Sequence, residues 1–205
     1  ATFTPTAGSN ATGIVSTALA AYSDAAGNAG NVGSSASIAI DTVAPSLTTM
    51  NISGASGILS NTLNAGDVVE VTASFNEAVV INATGNKPQV QLNIGGTLVY
   101  AAYASGSGTT DLLFNYTILA GQNDANGISY GANALGPNGA TLLDGTGNAA
   151  VITASARTDN SNYKVDTTAP TVTVGSDKAS LLAGQTAAIT FTFSEDPGAK
   201  IGRAS

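Results

Sequence analysis

The chain has 205 residues, enough for one large domain or two small ones. Only 9% are charged, and there is no Cys, His or Trp, which excludes disulfides and thiolate metal sites, removes the commonest zinc ligand and general base, and weakens any sugar-stacking reading. The net charge of −7 disfavours nucleic acid and anionic membranes as partners and favours divalent cations wherever the acids cluster.

In chain order the sequence reads as strand after strand. Residues 1–40 contain one Ala-rich stretch, Ala18 to Ala26, read here as mostly strand. Val69, Val71, Ala73 and Phe75 alternate with Glu70, Thr72 and Ser74. Val90, Leu92 and Ile94 alternate with polar neighbours, as do Leu112, Phe114, Tyr116 and Ile118, and then Ile189, Phe191 and Phe193. A period of two with one apolar face predicts half-buried strands, and the Gly-Gly, Asn-Gly and Pro-Asn-Gly runs between them predict turns. No apolar run approaches the ~20 residues of a membrane helix. Residue 1 opens no signal peptide, so the expectation is either that one was removed or that this is an internal segment.

The chain also repeats itself. Asp41-Thr42-Val43-Ala44-Pro45 returns as Asp166-Thr167-Thr168-Ala169-Pro170, and Asp24-Ala25-Ala26-Gly27-Asn28 as Asp144-Gly145-Thr146-Gly147-Asn148. Phe75-Asn76-Glu77 returns as Phe193-Ser194-Glu195, each preceded by an Ala-Gly pair. The motifs keep one cyclic order, which divides the chain into the end of one repeat (1–40), a complete and longer repeat (41–165) and the start of another (166–205, with 198–205 off the pattern). The expected fold is all-β: tandem immunoglobulin-like β-sandwich repeats, one complete and two partial. Incomplete sandwiches leave open sheet edges, so the end segments are expected to fray or to pair between chains.

These motifs, in this order, resemble the bacterial Ig-like repeats of giant secreted, RTX-like surface adhesins. The run from Phe75 through Gly96 and the run Asp124-Ala125-Asn126-Gly127-Ile128-Ser129-Tyr130 resemble the longer member of that class; residues 176–197 resemble the shorter. The resemblance implies an extracellular location at a bacterial cell surface, and rods stiffened by Ca2+ at domain junctions.

Sandwich geometry points to the same ion by a separate route. The first motif precedes the first strand, Phe-x-Glu ends the second, and Asp-x-x-Gly-Asn turns between the last two. All three should meet at one end of the domain and gather Asp41, Glu77, Asp144 and Asn148. Ca2+ takes six to eight hard oxygen ligands, roughly. The matching set at the next junction is Asp166, Glu195 and Asp196, with Asp124 approaching from below; Asp24 and Asn28 would serve a site whose other half precedes residue 1. Each motif alone is also a sound turn or linker without metal. Asp124-Ala125-Asn126-Gly127 looks like a scrap of an EF-hand loop, but its twelfth position is Leu135, not Glu.

No Ser or Thr has a His to activate it, and acids that recur at repeat positions point to structure, so no enzymatic activity is expected. The expected role is a Ca2+-rigidified extender in a surface adhesin, in contact with neighbouring repeats. The alternatives are a module that itself binds a glycan or host protein, suggested by a middle repeat longer than the ~100 residues of a lean Ig-like domain, and a spacer of a secreted hydrolase.

Overall fold

The structure, a computed structural model, describes residues 2–196; the off-pattern stretch 198–205 lies outside the described residues. It is all-β, with no helix among them.

The chain opens with nested antiparallel pairs. β1 (Asn10–Gly13) runs against β4 (Ile38–Asp41), and inside them β2 (Ser16–Thr17) runs against β3 (Gly33–Ser34). Together they form one long hairpin that ends at the Asp24–Asn28 turn. The expectation of strand over Ala18–Ala26 fails here. Apart from a bridge between Ser23 and Ala29, the stretch is turn and bend, with Ala20 at φ 62°. Alanines carry no inward or outward preference strong enough to hold a period of two.

The middle of the chain builds the sandwich. β5 (Leu47–Ser56), β6 (Thr62–Leu63), β7 (Val68–Asn82), β8 (Gln89–Ile94), β9 (Thr97–Ser105) and β10 (Thr109–Thr117) follow one another, and the shorter β11 (Asn123–Asp124), β12 (Leu135–Gly136), β13 (Thr141–Leu143) and β14 (Lys164–Asp166) complete it. The main sheet runs β12-β8-β9-β10-β7-β13, with β5 also on β7. Two strands change partners along their length. β7 pairs with β5 and β10 over Val68–Phe75 and with β13 over Val80–Asn82; β9 pairs with β8 and then, from Ala102, with β10. These exchanges wrap the sheet around one core. A small sheet, β11-β14-β6, closes the far end, with β6 and β14 parallel.

The alternation read from sequence is the core. Val69, Val71, Ala73, Val90, Leu92, Leu112 and Phe114 are fully buried, and the edge of the Tyr103 ring meets Phe114 at a centroid distance of 5.9 Å. The whole buried cluster lies between Met50 and Val165. The Tyr130 hydroxyl, deep in that cluster, donates to the Met50 carbonyl and ties the later half of the repeat to its first strand. Beyond the sandwich, β15 (Val172–Ser176) and β16 (Ile189–Phe193) form an antiparallel hairpin whose apolar residues stay in solvent, Val174 at 61% and Phe191 at 55%.

Two phenylalanines, each on the apolar phase of its strand, should therefore respond differently. Phe114→Ala should cost about 3–5 kcal/mol in urea unfolding of the sandwich, whereas Phe191→Ala should stay within about 0.5 kcal/mol.

Candidate metal centre

Asp41 is the last residue of β4. Its Oδ1 accepts the Val43 N–H at 3.1 Å and turns the chain toward buried Pro45 and β5. Such Asx turns are a local habit of aspartate. Asp166 repeats it at the end of β14, accepting the Thr168 N–H at 3.0 Å.

Asp144 is 7% exposed and starts the turn after β13. One carboxylate oxygen accepts the backbone N–H groups of Thr146, Gly147 and Asn148, and the Thr146 hydroxyl. The other accepts the Asn148 side-chain amide at 2.6 Å. Gly147 takes φ 99°, a conformation that disfavours a side chain. Burial pushes the Asp144 carboxyl up, but the hydrogen bonds from Asn148 and Thr146 outweigh it and hold the group well below the usual carboxylate range. The Asn148 amide also donates to the carbonyls of Asp41 and Val43, which pins this turn to the linker. Asp24 and Asn28 form the same turn, and the Asn28 side-chain amide leads in lowering the Asp24 carboxyl; both residues are exposed at the tip of the first hairpin.

Glu77 completes the group. The sequence places Phe-x-Glu at a strand end, but β7 continues to Asn82, and Glu77 sits where the strand leaves β5 and turns toward β13. The inward phase runs through Val71, Ala73, Phe75 and Val79, and Glu77 falls on it. Its Oε1 is buried with no hydrogen-bond partner among the described residues. Burial, followed by the negative charges of Asp41 and Asp144, raises its carboxyl above the ordinary value. One oxygen from each of the three acids lies within 4.8 Å of the others. Two oxygens on opposite sides of a Ca2+ with bonds of about 2.4 Å would stand about 4.8 Å apart, so the group suits a single such ion. Three carboxylates, hard oxygen donors, and one orphaned buried oxygen fit that chemistry.

The second junction is less closed. Glu195, like Glu77, has a buried Oε1 without a hydrogen-bond partner among the described residues. It lines a cavity of about 620 Å3 with Asp166, Asp124, Asn123, Lys164 and Ser194, while Asp196 stays exposed. Asp124 is buried, and its oxygens accept the N–H groups of Gly95 and Gly127, both at 2.8 Å. It holds two turns together, and Gly127 must be glycine there, since a Cβ would stand 2.0 Å from the Asn160 carbonyl oxygen. Among the described residues the Asp41–Glu77–Asp144 group is the one trio of acids so closely gathered.

Sequence reasoning missed the middle residue of Phe-x-Glu. Asn76 Oδ1 accepts the Ser46 N–H at 2.6 Å, and the Asn76 N–H returns to the Ser46 carbonyl. Ser194 and Thr171 repeat both bonds at the next junction. In each case the residue after the motif proline is zipped to the residue before the glutamate, and that zip carries the glutamate to the linker. A short polar side chain at both x positions was the available signal.

Among comparisons with known proteins, a family model described as a bacterial Ig-like domain matches residues 166–198, the segment from the second Asp-Thr-x-Ala-Pro motif through the second Phe-x-Glu. No curated protein and no solved structure gives a significant match. The chain is thus an all-β sandwich protein with a segment similar to a bacterial Ig-like domain, and that similarity supports Ig-like repeats along it.

Proposed function

We propose that this chain is an extender segment of a bacterial cell-surface adhesin, outside the cell and without catalytic activity, whose domain junction is fixed by Ca2+ held between Asp41, Glu77 and Asp144. Bacterial Ig-like domains are typical of surface proteins, which supports the setting. The observation that carries the ion is the buried, unpartnered Oε1 of Glu77 facing two further carboxylates. Buried polar atoms are rarely left unmatched, and like charges gathered without a counter-ion repel. The Asp144 turn is complete without metal, so its carboxylate arrives already ordered by Asn148 and Thr146. Asp41 lies on the linker and Glu77 and Asp144 on the sandwich, so an ion shared by all three would fix the angle at which one runs into the other.

Ca2+ should raise the melting temperature of an EGTA-treated sample, with a stabilisation of about 2.7 kcal/mol at a hundredfold excess over its dissociation constant, and should narrow the spread of shapes in X-ray scattering. Glu77→Gln separates the two faces of the argument. In EGTA it should melt above the wild type, because repulsion is relieved; with Ca2+ its gain should shrink. A wild-type melting temperature and scattering profile that ignore Ca2+ would sink the reading.

The two shifted acids also give a pH signature without divalent ions. The raised carboxyl of Glu77 favours the protonated folded state, so stability rises as pH falls through its folded value toward the ordinary glutamate range. The lowered carboxyl of Asp144 contributes stability above the ordinary aspartate range, and that contribution is lost as pH falls toward its folded value. Thermal unfolding in EGTA should thus pass through a maximum in mild acid. Glu77→Gln should remove the rise on the neutral side and leave the acid-side fall.

A further inference from the structure

The start of β5 and the segment that follows the Asp144 turn begin as a pair and then separate. At Ser46 and Val151 they run parallel, with the Val151 N–H bonded to the Pro45 carbonyl and the Leu47 N–H to the Val151 carbonyl. The next rung, between Leu47, Thr49 and Thr153, is not made. Ala150 bonds to Leu142 and Ala154 to Asn133, on one side; Val151 bonds toward β5 on the other. Thr153 and Ser155 line the gap opposite β5. Their N–H and C=O groups bond to nothing among the described residues.

Between the two edges lies a groove of about 420 Å3, lined by Leu47–Asn51 on one bank and Thr153–Arg157 on the other. Its volume is in the range of ligand sites, about 300–1,000 Å3. Tyr130 and Arg157 span it, the first to the Met50 carbonyl and the second, through Nη1, to Asn51 Oδ1 at 2.8 Å. Arg157 is one of six basic side chains in a chain of net charge −7, and among the described residues it forms no ion pair with a carboxylate. The guanidinium also meets the Tyr130 hydroxyl, and these two neutral partners leave further donors of its five for another acceptor.

We propose that this groove is a strand-addition site that accepts an extended peptide carrying a carboxylate opposite Arg157. An open sheet edge offers a row of backbone donors and acceptors that an extended chain satisfies. The guanidinium adds a planar fork matched to a carboxylate, which sets the register of the incoming strand. The site is separate from the acid cluster and does not depend on metal.

The test uses the full chain in EGTA and a fluorescent eight-residue peptide of alternating threonine and valine with one central aspartate. It is compared with the same peptide carrying asparagine, or a central proline. The aspartate peptide should bind with saturation, and the asparagine and proline peptides should bind at least about tenfold more weakly. Arg157→Gln, with unchanged melting behaviour, should bring the aspartate peptide down to the level of the asparagine one. On the unmodified chain the peptide should slow hydrogen exchange at Thr153 and Ser155, a readout that needs no variant. Equal binding of all three peptides, or no added protection at those two amides at a saturating or millimolar dose, would overturn the proposal. Because the experiment excludes divalent ions, its failure would leave the Ca2+ reading untouched, and the reverse also holds.

Discussion

A carboxylate on the inward phase of a β-strand is the constraint on which the rest of this junction turns. Glu77 follows Phe75 and precedes Val79, both buried, so the pleat that forms the core also delivers a charge to its rim. Desolvating that charge is costly unless it is neutralised or paired. No cation among the described residues meets it; Asp41 and Asp144 stand beside it and raise its carboxyl further. A single-residue choice in one strand thus sets a charge beside two others, which is the charge the proposed Ca2+ would offset, while the folds of Asp41 and Asp144 into their own turns keep the oxygens in place.

Convergence is enforced by backbone rather than by the acids. Asn76 zips β7 to the residue after Pro45, and Asn148 ties the Asp144 turn to the carbonyls of Asp41 and Val43. These contacts would hold with or without an ion, which is why the three carboxylates can be close despite their repulsion. At the next junction the Ser194–Thr171 zip and the Asp166 turn recur, and the orphaned oxygen recurs on Glu195. The local chemistry of the junction is therefore modular, written once per repeat.

Much of this was legible because half-buried strands write burial directly into a period of two. Val69 to Phe75, Val90 to Ile94 and Leu112 to Phe114 read correctly for that reason, and the cyclic order of the motifs was enough to gather Asp41, Glu77, Asp144 and Asn148 at one end. What escaped had no local signature. Ala18 to Ala26 lacks apolar contrast, so nothing in it distinguished strand from wide turn. Asp124, expected to approach the second junction from below, lines that cavity, and what the sequence did not show is that its oxygens also accept the N–H groups of Gly95 and Gly127, a pairing that only the closed sheet creates. The gap between β5 and residues 153–157 is set by long-range packing, and no short motif encodes it.

The link between β4 and β5 has one more property, and it is mechanical. From Asp41 to Leu47 the chain is held sideways at nearly every step: its carbonyls at Asp41 and Val43 by Asn148, its Pro45 carbonyl and Leu47 amide by Val151, and Ser46 by Asn76. A segment anchored in this way has little slack to release. Tension applied along the polypeptide would load these lateral bonds together, in shear, before the link could straighten, so the joint resists stretching as a unit rather than yielding one bond at a time.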